Sequence, residues 1–148
     1  MTTIKDNLYY PKKNPMQEPV PGLKKKCTIF SDIDGCLFKY RKFETYKSTE
    51  VESIQSVVER INKAYNDGHH IVLTTARPEY LRTHTLKELD KSNISFHQLV
   101  MGIARGTRFL INDMEDPKVN RAYSFNLVRN EGFEKNSREL FLWDNLLN

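Results

Sequence analysis

The sequence predicts a single α/β domain, built on a Rossmann-like parallel sheet with helices on both faces. Short apolar runs alternate with longer segments of helical periodicity, and three of the apolar runs end directly in polar residues. Strands that alternate with helices form parallel sheets. The carboxyl ends of such strands meet at one edge, where ligands bind, so this edge is where we expect the functional site.

Length and composition favour one soluble domain. The 148 residues are enough to bury a core, and two cysteines make no disulfide framework. We expect residues 25–148 to form the domain and residues 1–24, with four prolines, to form an irregular basic arm. Residues 1–26 carry a net charge of +4 and the remainder is neutral, so the basic character belongs to the arm. Without a membrane-spanning run or a signal-peptide pattern, we expect a cytoplasmic protein.

The first two elements are a strand and a long helix. Residues 27–30 form an apolar, β-leaning run that is too short for a helix. Apolar residues then recur every three or four positions over residues 51–65, which predicts an amphipathic helix. Thr49 and Glu52 form a capping-box pattern at its start, and residues 66–68, Asn-Asp-Gly, end it.

A second strand is predicted at residues 71–73, and Pro78 suits the first turn of a helix that covers residues 79–91. Shorter apolar or β-leaning runs predict three more strands, and the last segment predicts a helix. These elements are strands at residues 96–100, 109–111 and 122–128, and a helix through residues 140–147.

Carboxylates and hydroxyls follow three of these strands. Asp32 and Asp34 come after the first strand, Thr74 and Thr75 after the second, and Asp113 after the fourth. One aspartate alone can cap a turn, but three that converge at one edge would repel each other unless a cation lay between them. Because all the ligands are oxygens, the ion expected there is Mg²⁺.

Residues 32–37, Asp-Ile-Asp-Gly-Cys-Leu, resemble the first motif of the haloacid dehalogenase superfamily. Residues 71–77 are similar to its second motif, an apolar strand ending in Thr, and residues 109–113 to its fourth, a strand ending in acids. The resemblance covers about residues 26–130. It implies a Mg²⁺-dependent phosphomonoester hydrolase that acts through an aspartyl-phosphate intermediate.

The resemblance also implies roles for individual residues. Asp32 matches the nucleophile, and Asp34 matches the general acid and base. Thr75 matches the hydroxyl that contacts the phosphate. Asp32, Asp113 and the backbone carbonyl of Asp34 would hold Mg²⁺.

The third motif of the superfamily is normally a Lys ahead of the fourth-motif strand. No Lys lies between Lys91 and Asp113. Arg105 and Arg108 are the candidate phosphate-binding cations. Arg105 is favoured because it lies in a loop that contains glycines on both sides.

Many members of the superfamily carry a cap domain after the first or second motif, and neither place has room for one here. A capless site is open, so it either accepts a large substrate or is covered by a second copy in a homo-oligomer. We expect residues 38–48 to form a short flap hairpin beside it.

The leading interpretation is hydrolysis of a sugar phosphate or a similar small phosphorylated metabolite. A first alternative is a polynucleotide 3′-phosphatase, which residues 75–77 and the basic arm favour and the neutral domain does not. A second alternative is a non-catalytic binding module with the same fold. Its expected mark would be the loss of Asp32 or Asp34, and both are present.

Overall fold

A computed structural model describes residues 25–147; the predicted arm at residues 1–24 lies outside that range. Three parallel strands form one sheet in the order β1 (Thr28–Asp32), β2 (His70–Thr74) and β3 (Gln98–Val100). Helices connect the strands, and this alternation confirms the Rossmann-like α/β class. No helix within the described range is long and apolar enough to cross a membrane.

Three helices accompany the sheet: α1 (Gln55–Asn66), α2 (Arg82–Lys91) and α3 (Ser137–Leu147). One turn of 3₁₀ helix, Glu79–Leu81, leads into α2, and another, Phe43–Thr45, lies between β1 and α1. The connections between the strands hold one long helix each, so no cap domain is inserted there. The expected flap hairpin at residues 38–48 does not form as two strands: Phe38 makes one isolated antiparallel bridge to Ser53, and the 3₁₀ turn Phe43–Thr45 lies in the segment between them.

The start of α1 differs from the prediction and its end agrees with it. The helix begins at Gln55, six residues after the predicted cap at Thr49. The Thr49 hydroxyl donates to the carbonyl of Thr45 at 2.7 Å, so it serves the preceding turn and not a helix. At the other end Gly68 adopts a φ of +93°, a left-handed conformation that glycine accepts without strain.

The predicted fourth and fifth strands, at residues 109–111 and 122–128, are wrong. Residues 101–136 contain neither strand nor helix, and the side chains of Phe109 and Ile111 are 90% and 97% exposed. Residues with strand propensity form a strand only where they pair with a neighbouring strand and bury one face, and residues 109–111 do neither. In this three-stranded sheet β1 is an edge strand, and Phe30 on it is 59% exposed.

The core lies between the sheet and the helices, and it extends under the loop that follows β1. Fully buried side chains from the loop, the central strand and α2 meet there. They are Ile33, Leu37, Phe38, Ile71, Leu73 and Leu89. A smaller aromatic group joins the C-terminal region to this core: Phe133 and Trp143 are buried with ring centroids 5.3 Å apart, and the Phe125 ring meets Trp143 at 5.2 Å. This group holds the end of the chain against α1.

Gly132 is a position where only glycine fits. Its φ is +62°, and a Cβ there would lie 2.4 Å from Ser56 Oγ and 2.7 Å from Ile54 Cγ2. We expect Gly132→Ala to lower the free energy of unfolding by about 3 kcal/mol, through overpacking and a strained backbone. Urea denaturation measures this value. Gly106→Ala is the matched control, because nothing lies within 4 Å of a Cβ at that glycine. Equal stability of the two variants would contradict the packing described here.

Two histidines act as neutral hydrogen-bond acceptors at the amino ends of the strands. His69 Nδ1 accepts from the backbone N–H of Cys27, and His97 Nδ1 from that of Ile71, both at 3.0 Å. Burial lowers the pKa of each ring below its ordinary 6.5, with a further contribution from Lys26 at the first and from His70 at the second. A protonated Nδ1 cannot accept, so each bond requires the neutral ring.

The fold should therefore lose stability in acid. A His whose pKa is lower in the folded state favours folding above the unfolded pKa of 6.5, and that stability is lost as pH falls through the folded value. We expect the melting temperature to decrease below about pH 6.5. In His97→Asn the amide oxygen keeps an acceptor near the Nδ1 position and does not titrate. The decrease should then be smaller than in the wild-type protein, and an unchanged profile would refute the assignment.

Candidate active site

The candidate site lies at the carboxyl edge of the sheet, in the loop that follows β1. Asp32 ends the strand, and its Oδ1 accepts a hydrogen bond from the Ile33 N–H at 2.9 Å. Backbone N–H groups of Leu37 and Phe38 bond to the Ile33 carbonyl, and Gly35 turns the chain with a φ of +86°. This tight turn brings Asp32 and Asp34 together, but their side chains lie in different environments.

Asp32 faces outward. Its side chain is 48% exposed, and the nearest cationic atom is Nη2 of Arg108, 3.9 Å from Asp32 Oδ1. The chain around it still desolvates the carboxylate enough to raise its pKa, against the opposing effects of the Ile33 N–H and the Arg108 charge. The carboxylate is accessible to a ligand and has a cation beside it.

Asp34 faces inward and is bound on both oxygens. Arg77 donates from Nη2 to Asp34 Oδ1 at 2.7 Å and from Nε to Oδ2 at 2.9 Å. The Tyr46 hydroxyl adds a hydrogen bond to Oδ2 at 3.1 Å. The Asp34 side chain is only 12% exposed and that of Arg77 only 1%. A two-point guanidinium–carboxylate contact of this kind fixes the rotamer of Asp34.

The ion pair belongs to a larger buried network. Arg77 Nη1 also donates to Glu88 Oε1 at 2.7 Å, and Arg41 Nη2 lies 2.8 Å from Glu88 Oε2. Two guanidinium groups and two carboxylates therefore alternate, and their charges balance. The carboxylates of Asp34 and Glu88 raise the pKa of Arg77 despite its burial, so this arginine stays charged.

Tyr46 lies under this network. The Arg77 guanidinium stacks over its ring, with 4.3 Å between the guanidinium carbon and the ring centroid. Burial, followed by the Asp34 charge, raises the pKa of Tyr46 to about 12. The hydroxyl is therefore protonated at neutral pH and remains a donor to Asp34.

Thr75 follows β2, next to β1 in the sheet. It is buried, and its hydroxyl oxygen accepts from the Arg77 N–H at 3.1 Å. Its backbone N–H donates to Val100 at 2.9 Å. A hydroxyl that accepts in this way keeps its own proton for a further acceptor. The expected contact between Thr75 and phosphate stays a prediction.

The two candidate cations of the third motif take different positions. Arg105 is exposed, with its guanidinium 5.9 Å from the ring centroid of Phe43. Arg108 donates to the Gly106 carbonyl at 2.8 Å and approaches Asp32 as described above. The structure thus brings Arg108 to the first-motif aspartate, although the sequence favoured Arg105. The phosphate-binding role of either one stays a prediction.

The expected magnesium ligands do not assemble. Asp113 is 77% exposed, and its Oδ2 lies 3.5 Å from Nη1 of Arg121. Within residues 25–147 no group of three His, Cys, Asp or Glu side chains could hold a metal ion. The cause is the missing fourth strand, which would have carried Asp113 to the carboxyl edge of the sheet. The described acids, as they are arranged, do not fit a complete Mg²⁺ site.

Sequence reasoning missed Glu88, Arg41 and Tyr46. A signal for Glu88 is present in the sequence, because it lies seven residues after the buried Leu81, which directly precedes α2, and next to the buried Leu89 within α2. A carboxylate on a buried face needs a partner, and Arg77 is that partner. No comparable pattern marks Arg41 or Tyr46, which lie in irregular chain.

Comparison with known families agrees with the fold. The model of the haloacid dehalogenase-like hydrolases matches residues 29–104, just over half of the chain. The protein belongs to this family of hydrolases. The match contains Asp32, Asp34 and Thr75, and it ends before Arg105 and Arg108. No curated protein and no solved structure shows a significant match to the chain.

Proposed function

We propose that the protein is a phosphomonoester hydrolase in which Asp32 is the nucleophile. The observation that carries the proposal is the position of Asp32 in a chain that belongs to a family of hydrolases. Its carboxylate is half exposed at the carboxyl end of β1, with the Arg108 guanidinium 3.9 Å away. A carboxylate that faces solvent can reach a phosphoryl group, and a cation beside it offsets the negative charge that such a substrate brings.

The proposed reaction has two steps. In the first, an oxygen of Asp32 bonds to phosphorus as the ester bond breaks, and Asp34, which has first taken a proton from solvent, gives that proton to the leaving alcohol oxygen. In the second, Asp34 takes a proton from water as the water attacks phosphorus, and inorganic phosphate leaves Asp32. Both oxygens of Asp34 accept hydrogen bonds in the structure, so proton transfer requires that it give up one of the contacts to Arg77 or Tyr46.

Magnesium is the proposed cofactor because hydrolases of this family generally use it. When bound, the ion would neutralise charge between the nucleophile and the phosphate. Since the described acids do not fit a complete site, the two steps above are written for the chain's own residues, and the ion would supply charge neutralisation around them. EDTA treatment tests the cofactor: we expect it to abolish turnover and added Mg²⁺ to restore it.

The proposed substrate is a sugar phosphate or a similar small metabolite. No inserted cap covers the loop after β1, and the site opens to solvent. A second copy that covers this opening is part of the proposal. The exposed Phe30 and Ile111 are apolar side chains that such a contact could bury. Analytical ultracentrifugation tests it, and a monomer at assay concentrations would contradict it.

The test of function is a panel of phosphate esters assayed with Mg²⁺ for release of inorganic phosphate. The panel includes sugar phosphates, nucleotides and an oligonucleotide with a 3′-phosphate. We expect the highest kcat/KM on a small sugar phosphate. Faster turnover of the oligonucleotide would move the assignment to nucleic-acid end processing. If the folded protein releases phosphate from no ester, the proposed activity is wrong.

A further inference from the structure

A turn near the C-terminal end of the described chain closes against the Asp32–Asp34 loop. The Asn130 N–H donates to the Gly35 carbonyl at 2.9 Å, and Asn130 Oδ1 accepts from the Tyr40 N–H at 2.6 Å. Asn130 has a φ of +68°, a left-handed conformation that asparagine tolerates better than most residues. Two hydrogen bonds across about 90 residues of chain thus fix this turn beside the first motif.

The residues that follow the turn are also fixed in place. Gly132 is buried against Ser56, and the Phe133 N–H donates to Ser56 Oγ at 3.1 Å. Phe133 is buried among the aromatic side chains that hold the C-terminal region against α1. The residue that precedes Asn130 is therefore held in place by the anchored residues that follow it.

That residue is Arg129. Its side chain extends over the first-motif loop, since a Cβ at Gly35 would lie 3.1 Å from Arg129 Cγ. Its guanidinium carbon lies 4.0 Å from the ring centroid of Tyr40, a cation–π contact that orients the group. Gly35 directly follows Asp34, so the stem of Arg129 lies at the mouth of the candidate site.

Arg129 keeps its charge available. Two other arginines beside this loop already have partners: Arg77 is in the buried network, and Arg108 donates to the Gly106 carbonyl and lies 3.9 Å from Asp32 Oδ1. Arg129 is exposed, and it forms no ion pair within residues 25–147. The positive charge of Arg129 nevertheless acts on Asp32. Burial raises the pKa of Asp32, and Arg129 is among the groups that lower it. A solvent-facing guanidinium with free N–H groups is suited to bind an anion at two points.

We propose that Arg129 is a substrate-binding residue that receives the phosphoryl oxygens of the ester at the mouth of the Asp32–Asp34 loop. The proposal rests on the proposed function for its substrate, and it adds a cation that none of the recognised motifs supplies. Arg108 approaches Asp32 from another part of the chain. Two guanidinium groups would then face the phosphate that Asp32 attacks.

The test uses inorganic phosphate as a probe, with the full chain and Mg²⁺ in isothermal titration calorimetry. In Arg129→Gln the Cβ and Cγ that pack on Gly35 are kept, and the charge with its contact to the Tyr40 ring is removed. We expect phosphate binding to weaken about 10- to 100-fold, the usual effect of losing a charged hydrogen-bonding contact. Arg129→Lys should recover part of this loss, because a point charge remains but the two-point contact does not. Arg138→Gln, an exposed arginine in α3, is the matched control and should bind phosphate as the wild type does.

The outcomes separate this inference from the proposed function. If wild type hydrolyses an ester while Arg129→Gln keeps both its phosphate affinity and its kcat/KM, the inference is wrong and the function stands. If no ester is hydrolysed but phosphate binding still depends on Arg129, the function is wrong and the anion site stands. Absence of phosphate binding by the wild-type protein, or an equal loss in Arg138→Gln, also overturns the inference. Unchanged circular dichroism shows that each variant is folded.

Discussion

Asp32→Asn is expected to reduce turnover by roughly a thousand-fold or more, with the fold intact. An amide nitrogen or oxygen is a poor nucleophile toward phosphorus, so the first step of the proposed reaction is lost. The amide Oδ1 can still accept the hydrogen bond from the Ile33 N–H, and the side chain is half exposed, so stability should change little. Steady-state kinetics on the best ester of the panel measures the loss, and thermal melting checks the fold.

Asp116→Asn is the matched control for that substitution. Asp116 is an exposed acid on a turn, where its Oδ1 accepts from the Lys118 N–H at 2.9 Å, and an asparagine can make the same bond. This variant should keep wild-type turnover. If Asp32→Asn remained as active as Asp116→Asn, Asp32 would not be the nucleophile.

The second large effect is a loss of folding stability, which we expect when Arg77 is replaced. Arg77→Met leaves the carboxylates of Asp34 and Glu88 in a buried region without their shared cation. Removal of one partner from a buried ionic network costs about 3–5 kcal/mol, because the remaining charges stay desolvated. We therefore expect the free energy of unfolding in urea to fall by about that amount. Turnover should fall as well, since Asp34 loses the contact that orients it.

Two variants distinguish the loss of the buried network from a general effect of removing a positive charge. Lys91→Met removes an exposed ion pair with Glu50, and its melting temperature should stay close to that of the wild type. Arg77→Lys keeps a positive charge but cannot bridge the two carboxylates, so its stability should lie between those of wild type and Arg77→Met. If Arg77→Met were as stable as Lys91→Met, the buried network would contribute nothing to the fold.

The sequence predicted the elements whose periodicity and termini agree with each other. The strand that ends at Asp32, the helix that ends at Asn66 and the strand before Thr75 all appear, and the two strands carry the first two motifs. In each of them a polar residue or glycine marks the end of an apolar run, and in the helix and the second strand that run lies against the core. The family match over residues 29–104 covers the same part of the chain.

The prediction was wrong where only a short apolar run supported it. Residues 109–111 have the composition of a strand, but a strand needs a partner and a covered face, and neither is visible in three residues of sequence. The metal set depended on that strand, because Asp113 was expected to reach the others through it. The loss of one element therefore removed one ligand from the site.

The interactions that position Asp34 and surround Asp32 come from distant parts of the chain. Arg77 reaches Asp34 from the segment after β2, and Glu88 reaches Arg77 from α2. Arg129 lies over Gly35 from a turn that has no regular structure. Contacts of this kind depend on how loops close over the core, and no local pattern in the sequence encodes them.

The most direct test of the account is to trap the phosphorylated protein during turnover. Wild type is incubated with the best ester of the panel, labelled with ³²P in the phosphoryl group, quenched in acid and digested to peptides. We expect a label on the peptide that contains Asp32, released by hydroxylamine as expected for an acyl phosphate and absent from Asp32→Asn. A label on a different residue, or an equal label in Asp32→Asn, would contradict the assignment of Asp32 as the nucleophile.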